Sequence, residues 1–353
     1  MGSIEINNDL KLLKKVYTSK IFWPLTALIL IFVFDSIFID GFTKITIKEG
    51  NFYGIPIDIL KNVTPLLLIS IGMTMIIATK GIDISVGSVF AISGAISARL
   101  IGGESVPENS YFIAILVALL ISLILGTWNG FLVSKLGIQP IVATLILMVS
   151  GRGIAQLITE GQIITIYYEP YYFLGGGYIP FLKLPFSILI AASVFVISIL
   201  IVKCTALGIF IKSIGINPIA SRFSGIKVSR IILLTYMFSG LCAGIAGLIY
   251  SSNIRCADGN NAGLFIELDA ILAVAIGANS LNGGKFSILS SCIGALVIQT
   301  ITTTMYSIGV SPEKLPVVKA IIVIIICLVQ SEKFRDKLKA IFSNKGGMKI
   351  ENI

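Results

Sequence analysis

Apolar residues in this chain gather into long runs that are separated by short polar segments. The runs lie at about 22–39, 63–79, 84–100, 111–131, 138–158, 185–203, 230–251, 267–281, 286–306 and 315–331. A helix needs roughly 20 residues to cross the hydrocarbon core of a bilayer, and most of the runs approach that length. The pattern predicts an all-α polytopic membrane protein of about ten transmembrane helices, some of them short or broken. Eight spans with additional re-entrant pieces are the alternative.

Two of the apolar runs begin with carboxylates and glycines. Residues 81–87 read GIDISVG, and residues 267–269 read ELD at the start of a run that closes with NSLNGG at 279–284. Broken or short helices of this kind persist at membrane depth only where protein or a wet cavity surrounds them. An intramembrane aspartate usually marks a site or a pathway. Because the two features occupy corresponding places, they predict a transporter of two pseudo-repeated halves.

Composition and charge agree with a membrane protein. Of the 353 residues, 56% are hydrophobic and only 13% are charged, whereas soluble domains carry roughly a quarter charged residues. The formal charge is +9, and the excess cations lie in alternate loops and in the tail, as the positive-inside rule requires of cytoplasmic segments. This distribution favours a bilayer over a nucleic-acid partner and places both termini in the cytoplasm.

The same charge pattern divides the chain into three parts. Residues 1–20 form a polar cytoplasmic N-terminal segment, residues 21–331 form a single transmembrane domain, and residues 332–353 form a basic cytoplasmic tail. No composition break long enough for a second domain interrupts the apolar runs.

The residue inventory excludes several classes of catalytic and metal site. The chain has no histidine, and its five cysteines form no C-x-x-C pair. His-based zinc sites and Ser-His triads are therefore excluded, and the clustered groups that a membrane-embedded enzyme needs are missing. No phosphate loop of the type G-x-x-x-x-G-K-S/T occurs in the sequence. We therefore expect a protein that is not an enzyme, binds no cofactor and takes its energy from a separate chain.

The longest basic loop, at residues 203–230, holds five cations and no acidic residue. Pro218 fits the first turn of a short helix that Asn217 caps, and Gly225 fits its end. The loop thus predicts a short amphipathic helix at the cytoplasmic surface, although charge alone favours a plain interfacial loop. Three apolar side chains are predicted to be available for contact: Ile214, Ile219 and Phe223.

Three motifs resemble those of the ribose-type family of ABC sugar permeases. Residues 81–87 resemble the signature after its second helix, with Ile84 where leucine is usual. Residues 215–226 are similar to the loop that contacts the ATPase in that family, and residues 267–284 are similar to its late signature. The resemblance covers nearly the whole chain, about residues 21–337.

Within that family, three further segments resemble the permease subunits of galactofuranose transporters. These segments are residues 53–60, 143–153 and 254–263. Cys256 and Gly259 depart from the glycine and alanine that are usual in the last of them.

The resemblance implies the permease subunit of a bacterial ABC importer in the cytoplasmic (inner) membrane. It implies a monosaccharide substrate, with galactofuranose-like sugars first and ribose or xylose next. The implied partners are cytoplasmic ATPase subunits that hold ATP and Mg²⁺, an extracytoplasmic sugar-binding protein, and a second permease copy or paralogue. The alternative is a secondary sugar transporter driven by H⁺ or Na⁺, with Asp83 or Asp269 as its coupling carboxylate.

The candidate functional residues fall into two groups. By the resemblance, the ATPase-coupling loop contains Gly215, Asn217, Pro218, Ala220, Arg222 and Gly225. The candidates for the pathway or for hinges are Asp83, Ser85, Gly87, Asn129, Arg152, Gln156, Asn260, Asn261 and Asp269.

Several of these residues have two readings. Asp83 and Asp269 either face the pathway or cap the half-helix that follows them. Lys319 is expected to extend toward the membrane surface. Arg152 lies deeper in its run and either extends to the surface as well or hydrogen-bonds to carbonyl groups or a sugar. Uncharged polar side chains also suit a sugar pathway, although hydrogen bonds between helices explain them equally well. Two of them are Gln299 and Thr302.

Overall fold

The computed structural model describes residues 21–48, 50–102 and 110–330, and this part of the chain is mainly helical. Its α-helices are α1 (Phe22–Phe38), α2 (Ile55–Ala78), α3 (Val86–Ile101), α4 (Ser110–Ser134), α5 (Pro140–Ile158), α6 (Glu169–Tyr172), α7 (Phe186–Cys204), α8 (Leu207–Ile216), α9 (Pro218–Phe223), α10 (Val228–Ile254), α11 (Ile266–Ile276), α12 (Ile288–Ser307) and α13 (Leu315–Gln330). A 3₁₀ turn at Pro312–Lys314 precedes α13. The N-terminal segment predicted at 1–20 and the tail predicted at 332–353 lie outside the described residues.

Each apolar run of the sequence contains a helix. Within the described residues, six helices are long and apolar enough to span a membrane: α2, α4, α5, α7, α10 and α12. The helical membrane fold is thereby confirmed, whereas the count of ten spans, the two pseudo-repeated halves and the cytoplasmic termini stay predictions. The run at 267–281 forms a helix of only 11 residues, α11, which is too short to cross a bilayer alone.

Helix α2 begins at Ile55, earlier than the apolar pattern indicates. Pro56 occupies its first turn, where a missing N–H costs no helical hydrogen bond. Pro65 lies inside the helix and leaves the carbonyl of Lys61 without its usual backbone partner. The hydroxyl of Thr64 donates to that carbonyl instead, so the helix continues through the proline.

Two short antiparallel strand pairs lie at one end of the bundle. Strand β1 (Thr46–Lys48) pairs with β2 (Asn51–Tyr53), and β3 (Ile163–Thr165) pairs with β4 (Cys256–Asp258). We name this end the hairpin end, and the opposite end, which carries residues 203–230, the loop end. Helix α2 has 24 residues and is therefore about 36 Å long. The two ends are thus separated by roughly the thickness of a bilayer.

The centre of the bundle is formed by α2, α10 and α12, the three long helices that are most buried. Helix α10 packs closely against α4, since a Cβ added to Gly126 would lie 3.0 Å from the Cα of Gly240. It also packs closely against α2, where a Cβ added to Gly72 would lie 2.8 Å from the Cα of Ser239. Small residues at these positions allow the helix backbones to approach each other.

The short helix α6 lies at the hairpin end and hydrogen-bonds to both α3 and α10. Its Tyr171 is fully buried, and the Tyr171 hydroxyl lies 2.8 Å from Oγ of Ser97 and 2.6 Å from Oγ of Ser251. Beside it, the guanidinium of Arg255 donates two hydrogen bonds to the carboxylate of Glu169, at 2.8 and 3.2 Å. These contacts hold the end of α10 in place.

Candidate functional site

The basic loop forms two helices at the loop end, α8 and α9, where the sequence predicted a single short helix. Ile214 of α8 is only 1% exposed and packs with Ala78 in a small core. The prediction that Ile214 is available for contact is therefore wrong, because its side chain anchors the loop to the bundle. Ile219 and Phe223 of α9 are 65% and 89% exposed, as predicted for contact residues.

Helix α9 begins and ends at the residues that the sequence indicates. The side-chain oxygen of Asn217 accepts hydrogen bonds from the N–H groups of Ile219 and Ala220, each at 3.0 Å. Pro218 occupies the first turn. After the helix, Gly225 has a φ of +82°, in the left-handed region that favours glycine at a helix end.

The outer face of α9 combines apolar and basic side chains. Its exposed residues are Ile219, Ala220, Arg222 and Phe223, and we name these four the α9 surface. Aromatic residues and arginine are enriched where proteins bind one another. The α9 surface is therefore chemically suited to a protein partner.

The α9 surface is attached to the bundle where two sequence motifs, residues 215–226 and 267–284, meet the end of α2. A Cβ added to Gly215 would collide with the carbonyl of Ala78 and with the amide of Gly284, so a larger residue cannot occupy that position without displacing its neighbours. The N–H of Gly284 donates to the carbonyl of Ala78 at 2.9 Å. The ammonium group of Lys80 donates to the carbonyl of Ile216 at 3.2 Å. The loop is thus attached directly to the end of α2 and to the segment after α11.

Replacing Asn217 with alanine is expected to lower the free energy of unfolding by about 1 kcal/mol, because the first N–H groups of α9 lose their cap. Asn217→Asp keeps an acceptor oxygen and is the matched control. The midpoint of thermal unfolding of the purified protein in detergent measures the change. Equal midpoints for the alanine and aspartate variants would contradict the capping role.

Asp83 precedes α3 and is buried within the bundle. Its Oδ1 accepts hydrogen bonds from the N–H of Ser85 at 3.0 Å and from the hydroxyl of Ser85 at 2.6 Å. The side-chain amide of Asn129 donates to the Ser85 hydroxyl oxygen at 2.8 Å. The three residues are at most 1% exposed. The structure therefore joins these predicted residues in a sealed network that fixes the start of α3, with Ser85 and not Asp83 at the N-cap position.

The start of α3 also touches the start of α11. A Cβ added to Gly87 would collide with the carboxylate of Glu267, which is buried. Arg152 of α5 interacts electrostatically with Glu267, and its guanidinium donates to the carbonyl of Ala262 at 2.6 Å. Of the two readings of Arg152, the structure shows the hydrogen bond to a carbonyl group.

Asn260 and Asn261 belong to an exposed turn at the hairpin end. Asp258 orders this turn by accepting hydrogen bonds from the N–H of Asn260 at 2.8 Å and from the side-chain amide of Asn261 at 2.7 Å. Partial burial raises the pKa of the Asp258 carboxyl, but these hydrogen bonds outweigh it and bring the pKa below its ordinary value. Gln156 is also exposed. These three predicted pathway residues therefore lie at the protein surface.

Asp269 forms an ion pair between α11 and α13. Its Oδ2 lies 2.7 Å from Nζ of Lys319, and the two side chains are 24% and 11% exposed, respectively. Phe265 occupies the N-cap position of α11, and no side chain caps that helix. The capping reading of Asp269 is therefore wrong, because its carboxylate is engaged by Lys319. Lys319 itself is held inside the bundle by this contact and does not extend freely to the surface.

A cavity of about 520 Å³ lies at the hairpin end between α2, α10 and α12. Its polar and aromatic lining includes Asn62, Tyr250, Asn253, Gln299, Thr303 and Tyr306. Gln299 is the member of this set that the sequence indicated. None of the nine residues that the sequence proposed for the pathway or for hinges, from Asp83 to Asp269, lines this cavity.

A signal for the other lining residues was present in the sequence. Asn62 and Asn253 are uncharged polar residues near the ends of otherwise apolar helices, and they face the same end of the bundle. What the sequence alone does not contain is the information that α2, α10 and α12 are neighbours.

The chain matches the family described as branched-chain amino acid transport system / permease component over residues 55–328. The galactofuranose transporter permease protein YtfT of Escherichia coli (strain K12) is 46% identical over 327 residues, which cover 91% of this chain and 94% of that protein. The fructose import permease protein FruF of Bifidobacterium longum (strain NCC 2705) is 38% identical over 344 residues, which cover 96% and 95%. The ribose import permease protein RbsC of Bacillus subtilis (strain 168) is 37% identical over 279 residues, which cover 78% and 84%. No solved structure matches this chain.

Proposed function

Since this chain belongs to the family of branched-chain amino acid transport system permease components, we propose that it is the subunit of a bacterial ABC importer that carries a monosaccharide across the membrane. The three relatives named above are sugar permeases, and the chain is a multi-pass protein of the bacterial cytoplasmic membrane. Membership of the family implies an ATPase and a binding protein as partners in general terms.

The α9 surface is the observation that carries the proposal. An exposed phenylalanine, isoleucine and arginine stand on one short helix, and that helix is fixed to the bundle through Gly215, Ala78 and Gly284. We assign this surface to the contact with the ATPase subunit. ATP and Mg²⁺ belong to that subunit, since this chain contains no phosphate loop.

The contacts of Gly215 with Ala78 and Gly284 would connect an ATPase bound at α9 to the transmembrane helices. A movement of α9 displaces Gly215 and, through it, the end of α2 and the segment after α11. The same helix α2 lines the cavity at the hairpin end. Binding and hydrolysis of ATP would thus shift the population between openings at the two ends, without a covalent intermediate.

The substrate that we favour is a galactofuranose-like sugar, in line with the relative that is 46% identical. Fructose and ribose follow, as the substrates named for two other relatives. An extracytoplasmic binding protein would deliver the sugar at the hairpin end. A second permease copy or a paralogue would complete the membrane part of the importer.

Reconstitution in proteoliposomes tests this function. With the cognate ATPase and binding protein, the chain is expected to accumulate labelled sugar when ATP and Mg²⁺ are supplied, and not when a proton or sodium gradient is imposed alone. Uptake driven by an ion gradient without the ATPase would instead establish the secondary transporter. The family of the chain supports the ATP-driven importer over that alternative.

A further inference from the structure

The cavity at the hairpin end lies between the ends of α2, α10 and α12, the three long helices that are most buried. Asn62 and Tyr306 are exposed and mark its entrance. Pro65, Ile249 and Gln299 are the lining residues that lie deeper along α2, α10 and α12. A volume of about 520 Å³ falls in the usual range of small-molecule sites.

Packed helices close the cavity on the side of the loop end. Gly72 lies roughly 10 Å beyond Pro65 along α2, where its backbone packs against Ser239 of α10. Two residues farther, the hydroxyl of Thr74 donates to the hydroxyl oxygen of Ser291 at 2.7 Å. A molecule that enters from the hairpin end therefore stops above these contacts.

The lining suits a neutral molecule with several hydroxyl groups. Amide side chains both donate and accept hydrogen bonds, as hydroxyl groups do. Among the described residues, no carboxylate lines the cavity, and the charge of Lys61 interacts with that of Asp58 one turn earlier. The rings of Tyr250 and Tyr306 add apolar faces with polar tips. This combination favours neither a metal cation nor a purely apolar ligand.

The hydrogen-bonding groups in the cavity are largely unused by the protein. Within the described part of the chain, the side chains of Asn62 and Asn253 donate and accept no hydrogen bond to other residues. The amide of Gln299 reaches the hydroxyl of Thr303 only at 3.4 Å, which is long for a hydrogen bond. These groups are therefore free to bind a ligand.

We propose that this cavity is a binding site for the transported monosaccharide within the permease itself. Asn253 and Gln299 bind hydroxyl groups of the sugar, and Tyr250 and Tyr306 pack against its carbon skeleton. The inference rests on the proposed sugar-import function and adds a selection step that follows delivery by the binding protein. The ligand class is a neutral monosaccharide whose hydroxyl groups are free.

Substitution in the assembled importer tests the site. Asn253→Leu and Gln299→Leu keep approximately the size of the side chain and remove its hydrogen bonds. Each is expected to reduce uptake of D-galactose, D-fructose or D-ribose, whichever the wild type imports, by about tenfold. ATP hydrolysis is expected to stay at its wild-type rate, because α9 is unchanged. The sugar imported per ATP hydrolysed therefore falls.

Two adjacent threonines supply a matched pair. Thr303 lines the cavity, whereas Thr302 does not and donates its hydroxyl hydrogen bond to the carbonyl of Ile298 in its own helix. Thr303→Val is expected to reduce uptake, and Thr302→Val is expected to leave it unchanged. Normal uptake by the Asn253, Gln299 and Thr303 variants would overturn the site. A wild-type importer that moves none of the sugars with ATP would contradict the proposed function instead.

If the leucine variants fail to assemble, a cysteine-protection measurement tests whether the sugar occupies the cavity. Ser307 lines the cavity and is exposed, so Ser307→Cys is expected to react with a membrane-impermeant maleimide added from outside. A transported sugar at millimolar concentration is expected to slow this labelling at least threefold, and mannitol at the same concentration is the control. If the transported sugar does not slow the labelling of Ser307→Cys, the cavity is not the sugar-binding site.

Discussion

The variant Phe223→Asp is expected to lose the ATPase subunit during purification and to reduce ATP-driven sugar uptake by about tenfold or more. Phe223 is 89% exposed on α9, so its removal disturbs little inside the permease. Replacing an aromatic side chain that is a hot spot of an interface costs about 2 kcal/mol or more in binding free energy. An aspartate there must also be desolvated against the partner without a matching charge. Co-purification of the ATPase with the tagged permease measures the loss.

Phe181 provides the matched control for this experiment. It is 92% exposed and lies at the hairpin end, so Phe181→Asp makes the same chemical change on the opposite side of the protein. This variant is expected to retain the ATPase fully. If Phe223→Asp also retained it, the α9 surface would not be the ATPase contact.

The second large effect is expected at the ion pair between α11 and α13. Asp269→Ala leaves the ammonium group of Lys319 without its partner inside the bundle, where the side chain of Lys319 is only 11% exposed. Breaking one side of a buried pair typically costs about 3 to 5 kcal/mol. Because this pair is partly buried, we expect a loss of about 2 kcal/mol in the free energy of unfolding. Denaturant titration of the purified protein, followed by helical circular dichroism, measures it.

Removing both charges separates the ion pair from other effects of the substitution. The double variant Asp269→Ala and Lys319→Met is expected to recover much of the stability, because no unpaired charge remains. Glu160→Ala is the surface control: its pair with Arg99 has side chains that are 67% and 58% exposed, and such pairs contribute less than about 1 kcal/mol. A loss at Asp269→Ala no larger than at Glu160→Ala would contradict a buried pair.

The sequence was sufficient for features that depend on neighbouring residues. Apolar runs placed the helices, and the order Asn217, Pro218 and Gly225 predicted the start and end of α9, because caps and turns are local in the chain. The exposed apolar residues of α9 were predicted for the same reason. The prediction that Ile214 is available for contact was wrong, because the burial of its side chain depends on Ala78, which lies far away in the sequence.

The features that the sequence missed depend on which helices become neighbours. The cavity draws Asn62, Asn253 and Gln299 from three helices that no periodicity connects. A cap was one of the two interpretations of Asp269, because local rules favour a carboxylate at the start of a helix. Its actual partner, Lys319, lies 50 residues farther along the chain. Opposite charges in two apolar runs, 267–281 and 315–331, were the signal that could have joined them.

Because Pro65 removes one backbone hydrogen bond from the interior of α2, we expect this residue to be the pivot if the helix tilts. Asn62, which lines the cavity, lies before Pro65. The part of α2 after Pro65 is roughly 20 Å long and ends at Ala78. A tilt of about one degree at this pivot displaces Ala78 by about a third of an ångström. Asn62 lies only about 5 Å from Pro65 along the helix, so we expect the same tilt to displace Asn62 about four times less than Ala78.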